Sequence, residues 1–270
     1  MHSILLHIHD DDCLEARLQA ALDIVRTFGG HLTCVQPIPF DVMAPGDIYG
    51  SGAAELVPIL RENAEKLQQR IEARLAAEGV SWDWVQDFDA AGHMLLAYAA
   101  LSDLIVVGTS EPRGGKGASS LAGQVALHAQ TPVLAVPAGT RGFDAAVPAM
   151  VAWNGSIEAS HALRAAVPLL KRSASVQLVT VEEVREVRAY DLPPTEGGEF
   201  LSRHGIACEM VAIPLRDGSA QDALRHAAEV RKVGYIVMGA YGHTRLRETV
   251  LGGATRGLLA HSPVPLFLCH

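Results

Sequence analysis

The chain is expected to fold as two tandem α/β domains, each built on an open, mostly parallel sheet. Three observations carry that expectation. Short apolar runs alternate with helix-length stretches of ~10–15 residues, the pattern of βαβ units. A length of 270 residues suits about two domains, each with room for its own core. The halves also repeat. Ile105-Val106-Val107-Gly108 stands 24 positions before Pro132, and Ile236-Val237-Met238-Gly239 stands 24 positions before Pro263, an offset of 131 residues. In each span a polar, glycine-containing loop and a helix-like run with a late histidine (His128, His261) precede a second apolar strand.

Periodicity places the elements in order. In the first half a strand is expected at 3–8, a helix at 13–28 with Asp12 as its N-cap, a strand at 31–36 and a Pro/Gly-rich loop at 37–52. A long helix follows at 54–78, with Leu56, Ile59, Leu60, Ala64, Leu67, Ile71 and Leu75 on one core-facing side. Then come a strand at 80–87, a helix at 90–101, a strand at 103–107, a helix at 119–129 and a strand at 132–136. The second half reads as strand 149–153, helix 157–171, strand 175–181, a solvated charged segment Glu182–Arg188, helix 196–204, strand 207–213, helix 219–231, strand 234–238, helix 254–261 and strand 264–268. The continuous apolar runs Leu104–Val107 and Tyr235–Met238 suit strands buried on both faces. Turn and linker residues in Pro137-Ala138-Gly139-Thr140-Arg141-Gly142-Phe143 place the boundary there, giving domains 1–143 and 144–270.

Composition narrows the function. No apolar run approaches the ~20 residues that span a bilayer, and the start of the chain lacks the basic, apolar pattern of a signal peptide, so a cytoplasmic location and no membrane partner are expected. A net charge of −8 argues against nucleic acid as a partner, since phosphate neutralisation needs a basic face. Cys13, Cys34, Cys208 and Cys269 are far apart and form no C-x-x-C pair, which excludes a disulfide scaffold or zinc ribbon. The charge is unevenly held. Residues 1–143 carry nine Lys/Arg against 17 Asp/Glu, whereas residues 144–270 carry 13 of each and are neutral.

The neutral half holds the more informative loop, from Gly239-Ala240-Tyr241-Gly242-His243 to Leu251-Gly252-Gly253-Ala254-Thr255-Arg256. In open α/β sheets ligands sit beyond the carboxyl ends of strands, where this loop begins. Gly239 and Gly242 let a ligand approach the main chain, and Gly252 and Gly253 precede a helix whose first amides can take an anion. Thr255 adds a hydroxyl; Arg245, Arg247 and Arg256 add charge. The inventory suits a polyphosphate, but it matches neither G-x-G-x-x-G nor the G-K-[ST] of a P-loop.

The spacing Gly239-x2-Gly242-x9-Gly252, with a helix and Pro263-Val264-Pro265 after it, resembles the universal stress protein (UspA-like) family. So does Val151-Ala152-Trp153-Asn154-Gly155-Ser156 as a first strand and turn. The resemblance covers nearly the whole chain, more strongly over 149–270 than over 1–138, and two such domains resemble the tandem members. It implies a five-stranded sheet of order 3-2-1-4-5 in each domain. It also implies an intrachain pseudo-dimer through strands 132–136 and 264–268, further homodimerisation of whole chains, and a stress-response role that is non-catalytic or accompanied by weak ATPase activity. In members that bind ATP, the glycine loop holds phosphates and ribose, an acidic residue ending the first strand meets the ribose or phosphate region, and main-chain groups ending the second strand meet adenine. Carried over by position, the nucleotide-binding residues are Asn154, Val181, Gly239, Gly242, Gly252, Gly253 and Thr255, with Arg256 beside them. Two positions depart from the pattern. Asn154 replaces the acidic residue, and Gly253 stands where the family has Ser or Thr, with Thr255 as the nearby substitute.

In the first half the same offset sets Glu111 at the position of Gly242, Leu121 at Gly252 and Ala122 at Gly253. A carboxylate and side chains then stand where phosphate needs bare amides, so this half is expected to lack such an ATP site and to serve a structural or regulatory part. Gly114-Gly115-Lys116-Gly117-Ala118-Ser119 reads as a surface loop. A rival signal is His7-Ile8-His9-Asp10. Residues i and i+2 on a strand face one way, so His7 and His9, with Asp10, form an alternative metal site of the kind a metal-dependent hydrolase uses. Against it, two matching halves leave no eight-fold β/α series. A nucleotide-independent interaction module is the third reading. No nucleophile elbow is present, because Ser156 lies in Asn154-Gly155-Ser156-Ile157-Glu158 and reads as a helix cap.

Overall fold

A computed structural model describes residues 1–38, 51–110, 117–182, 191–216, 218–241 and 253–270, with side chains described from 56 onward in the second of these segments. The first half runs β1 (Ser3–His7), α1 (Leu14–Phe28), β2 (His31–Pro37), α2 (Ser51–Ala77), β3 (Ser81–Asp87), α3 (Ala91–Ala99), β4 (Leu104–Gly108), α4 (Ser120–His128) and β5 (Val133–Val136). The second runs β6 (Ala149–Ala152), α5 (Ile157–Leu170), β7 (Val176–Glu182), α6 (Pro194–Arg203), β8 (Cys208–Pro214), α7 (Ala220–Val230), β9 (Tyr235–Gly239), α8 (Gly253–His261) and β10 (Leu266–Cys269). None of the helices described is long and apolar enough to cross a membrane.

All ten strands form one sheet, ordered β3-β2-β1-β4-β5-β10-β9-β6-β7-β8. Each half thus has the order 3-2-1-4-5 with parallel pairing throughout. The halves meet where β5 and β10 pair antiparallel, Leu266 opposite Ala135 and Leu268 opposite Val133. Successive strand residues point to opposite faces. Ile4, Leu6, Val151 and Val237 therefore enter the core beneath α1, α2, α5 and α6, while Leu5, Ile105, Met150 and Ile236 enter the core beneath α3, α4, α7 and α8. Both cores cross the β5–β10 junction. The connector is held as well. Phe143 is buried, its N–H donates to Asp23 Oδ2 at 3.0 Å, and its ring lies 5.3 Å from that of Tyr235.

Helix starts follow local chemistry. Ser119, Ser156 and Ser219 each accept an amide three residues on and cap α4, α5 and α7. The expected Asp12 cap of α1 is not used: Asp11 accepts the Cys13 N–H at 2.8 Å instead. The reason is Arg17, whose buried guanidinium pairs with the same Asp11 oxygen at 2.5 Å. Arg17 also donates through Nε to the His7 carbonyl at 2.7 Å and through its other amino group to the His9 carbonyl. One buried cation therefore holds the whole β1–α1 turn.

The long helix departs from expectation at its beginning. Ala64, Leu67, Ile71 and Leu75 are buried, but Leu56 and Ile59 are exposed. A 27-residue helix is ~40 Å long, against roughly 23 Å for a seven-residue strand, so its first turns overhang the sheet. Replacing Arg17 by Met should destabilise the protein by about 3–5 kcal/mol, because Asp11 and two carbonyls lose their partner in a buried turn. Urea unfolding measures this, and a loss under 1 kcal/mol would show that the turn holds without the cation.

Candidate functional site

In the second half, strand order reverses between β6 and β9, and the crevice at such a reversal is where open sheets take ligands. The carboxyl ends of β7, β6 and β9 lie side by side there. Asn154 stands two residues beyond β6, and its Oδ1 accepts the Ser156 N–H at 3.1 Å. That Asx turn delivers the chain into α5, whose Ala159 N–H is capped by Ser156 at 3.1 Å. Gly155 between them has φ +76°, and a Cβ there would stand 2.1 Å from the Leu192 carbonyl oxygen. Leu192 N–H donates to the Gly155 carbonyl at 2.8 Å, so the segment that resumes at 191 lies against this turn. Val181, opposite Ile213 in the β7–β8 pair, is half-buried against the core beneath α7 and α8.

Gly239 ends β9, and it is needed first for packing. A Cβ there would lie 2.6 Å from the Ala159 nitrogen and 2.6 Å from the Glu158 carbonyl carbon. Its counterpart Gly108 meets α1 in the same way, 2.6 Å from Cys13 Cβ. The repeated glycine is thus the close approach of the fourth strand to the first helix. Thr255 is buried, and its Oγ1 accepts the Tyr241 N–H at 3.4 Å, tying α8 to the start of the loop. Gly253, the first residue of α8, is exposed with no atom within 4 Å of a hypothetical Cβ; Arg256 is exposed one turn on. Gly242, Gly252, Arg245 and Arg247 lie outside the described residues.

Two side chains here escape sequence reasoning. Tyr241 has φ +64°, an uncommon backbone for a non-glycine residue. Its hydroxyl is buried without a hydrogen-bond partner among the described residues, and burial pushes its pKa up to about 12. Glu158 Oε2 is likewise buried with no partner among the described residues. The Gly-x-Tyr-Gly run signals a turn but not the inward direction of the ring.

Strand register aligns the halves. Ile4 and Ala149 hold equivalent places, which sets His9 at the position of Asn154 and Pro37 at that of Val181. Leu121 and Ala122 are buried, and the Ala122 N–H is taken by Ser119. Glu111 and the segment 111–116 lie outside the described residues. The first half thus presents an occupied helix start, and at Pro37 a residue without an N–H.

The His7/His9/Asp10 alternative does not converge. The two imidazoles stack nearly parallel, 5.9 Å apart and 6° between planes, and the Asp10 carboxylate pairs with Arg70 at 2.7 Å. Among the described residues no group of three or more His, Cys, Asp or Glu is placed to hold a metal ion. His7 is instead a core residue, its Nε2 buried with no partner among the described residues. Burial holds its pKa well below the usual 6.5, reinforced by the charge on Arg17 and by His9.

These features define a tandem doubly wound α/β protein whose halves share one strand order and differ at the turns beyond their first strands. The chain belongs to the universal stress protein family, whose model matches residues 1–137 and again residues 148–270. Among solved structures, a universal stress protein from Archaeoglobus fulgidus DSM 4304 is similar over 98% of this chain and 97% of its own, at 19% identity and a TM-score of 0.71. A functionally unknown protein from Pseudomonas aeruginosa PAO1 is similar over 100% and 92%, at 18% identity and a TM-score of 0.59. At these identities the likeness is one of fold. No curated protein matches the chain.

Gly239→Ala should cost ~1–3 kcal/mol, the usual range for overpacking against fixed backbone, while Gly253→Ala should be nearly neutral. Equal urea midpoints for the two variants would remove the packing role of Gly239. His7 stays neutral in the fold while its unfolded form protonates near pH 6.5, so its contribution to stability is full above that pH and is lost as pH falls below it. The stability gap between wild type and His7→Leu should shrink by up to ~1.4 kcal/mol per pH unit below 6.5. A gap that does not change with pH would place this imidazole in solvent.

Proposed function

We propose that this tandem universal stress protein binds one adenine nucleotide, ATP, per chain, in the second-half crevice, and acts in a cytoplasmic stress response through binding rather than turnover. The observation that carries this reading is the contrast between the two helix starts. Gly253 stands exposed in the first turn of α8, with Arg256 one turn on, whereas the corresponding Ala122 is buried and its N–H is taken by Ser119. An exposed glycine in the first turn of a helix, with a nearby guanidinium, favours phosphate. In this reading Asn154 and the α5 start form the facing wall, the Val181 main chain takes the base, and Gly239 and Thr255 set the loop that carries Gly242 and Gly252. Domain 1–143, with Pro37 in place of Val181, supports the assembly without binding nucleotide, and whole chains pair as homodimers.

Calorimetric titration of the full chain with ATP should give one site per chain. Gly253→Asp should weaken binding at least tenfold by setting a carboxylate where phosphate lies. The melting temperature should hold or rise, because an acidic residue at a helix N-terminus stabilises it by ~0.3–1 kcal/mol. No binding at millimolar ATP, two sites per chain, or full affinity in the variant would overturn the proposal.

A further inference from the structure

The outer groove between edge strand β8 and helix α7 holds a cavity of about 350 Å³, one strand outward of Val181. That volume lies within the range of small-molecule sites, ~300–1,000 Å³. Its walls are aliphatic: Ile213 and Leu215 from the strand side, Ala223, Ala227 and Val230 from the helix. Leu215 is 41% exposed and Val230 64%, both large apolar groups left facing water at the cavity mouth. Among the described residues, the polar members of the lining are cationic or titratable: Arg216, His226 and Arg231. Arg231 is committed to Glu209 at 3.4 Å. Arg216, exposed and without an ion pair among the described residues, lines the same apolar trough.

The first half differs at the equivalent positions. Register sets Asp87 where the second half has Ile213, and two residues on Asp89 stands where it has Leu215. Two carboxylates in one half thus stand where the other has two aliphatic side chains. Pro214 ends β8 and lacks an N–H, which blocks extension of the edge by a peptide strand beyond it. From Ala223 to Val230 the helix wall runs seven residues, or roughly 10 Å, the span of an aliphatic chain of about eight carbons.

We propose that the β8–α7 groove binds a medium-chain aliphatic carboxylate, its chain along Ala223, Ala227 and Val230 and its carboxylate on Arg216. Binding removes the exposed faces of Leu215 and Val230 from water and gives Arg216 a charge-assisted partner.

Titration of the full chain with decanoate should show one saturable site. Arg216→Gln should weaken decanoate at least tenfold while leaving decan-1-ol unaffected. Val230→Glu, a surface change that the fold tolerates, should weaken decanoate by a similar factor. Saturating ATP should leave the decanoate isotherm unchanged, which separates this site from the nucleotide crevice. Failure to bind at millimolar decanoate, equal affinity in both variants, or displacement by ATP would overturn the proposal, whatever the outcome of the nucleotide titration.

Discussion

The antiparallel pairing of β5 with β10 is the interaction on which the rest of the architecture depends. All four residues of each strand are buried. Left unpaired, either strand would present a row of bare N–H and C=O groups flanked by apolar side chains, the kind of edge that recruits other chains. Joined to each other they become the centre of the sheet, and both cores run across them. The exposed edges are displaced to β3 and β8, whose residues alternate between half-buried and exposed. Phe143, held by Asp23 on one side and Tyr235 on the other, fixes the connector beneath that seam.

Within this shared frame the halves solve the same local problem with different chemistry. Both must turn from the first strand into the first helix under a close fourth strand, and both use a glycine, Gly108 or Gly239, to allow the approach. The second half makes the turn with neutral groups, Asn154 and Ser156. The first uses charge: Asp11 and the buried Arg17 brace the turn, with the His7 and His9 carbonyls as further acceptors. The excess of carboxylates in residues 1–143 fits the same division.

The elements were legible because parallel strands covered on both faces read as unbroken apolar runs, and Leu104–Gly108 and Tyr235–Gly239 are such strands. The duplication added a second, independent reading of each boundary. The site was less legible because a glycine does not declare why it lacks a side chain. Gly239 answers to α5, and Thr255 turns inward to the Tyr241 amide. Asp12 lost its capping role to Asp11 because a cation five positions beyond it, on the buried face of α1, decides which carboxylate turns in. The alternation that put His7 and His9 on one side of a strand was correct, yet stacking left their rings parallel and not converging. Leu56 and Ile59 continue a helical stripe that outruns the sheet beneath it. Each of these depends on distances between segments far apart in the chain, which local pattern does not encode.

Covalent fusion across the β5–β10 seam also changes what the seam demands of evolution. When two identical subunits meet about a two-fold axis, every substitution arrives in both, and each interface residue must suit its own mirror role. In one chain, Leu134 and Phe267 face each other as different residues, so a change on one side can be answered on the other alone. The linker also keeps the partner at high effective concentration, so the seam holds without tight self-association. A gene joined in this way can let one half specialise while its twin keeps only the scaffold.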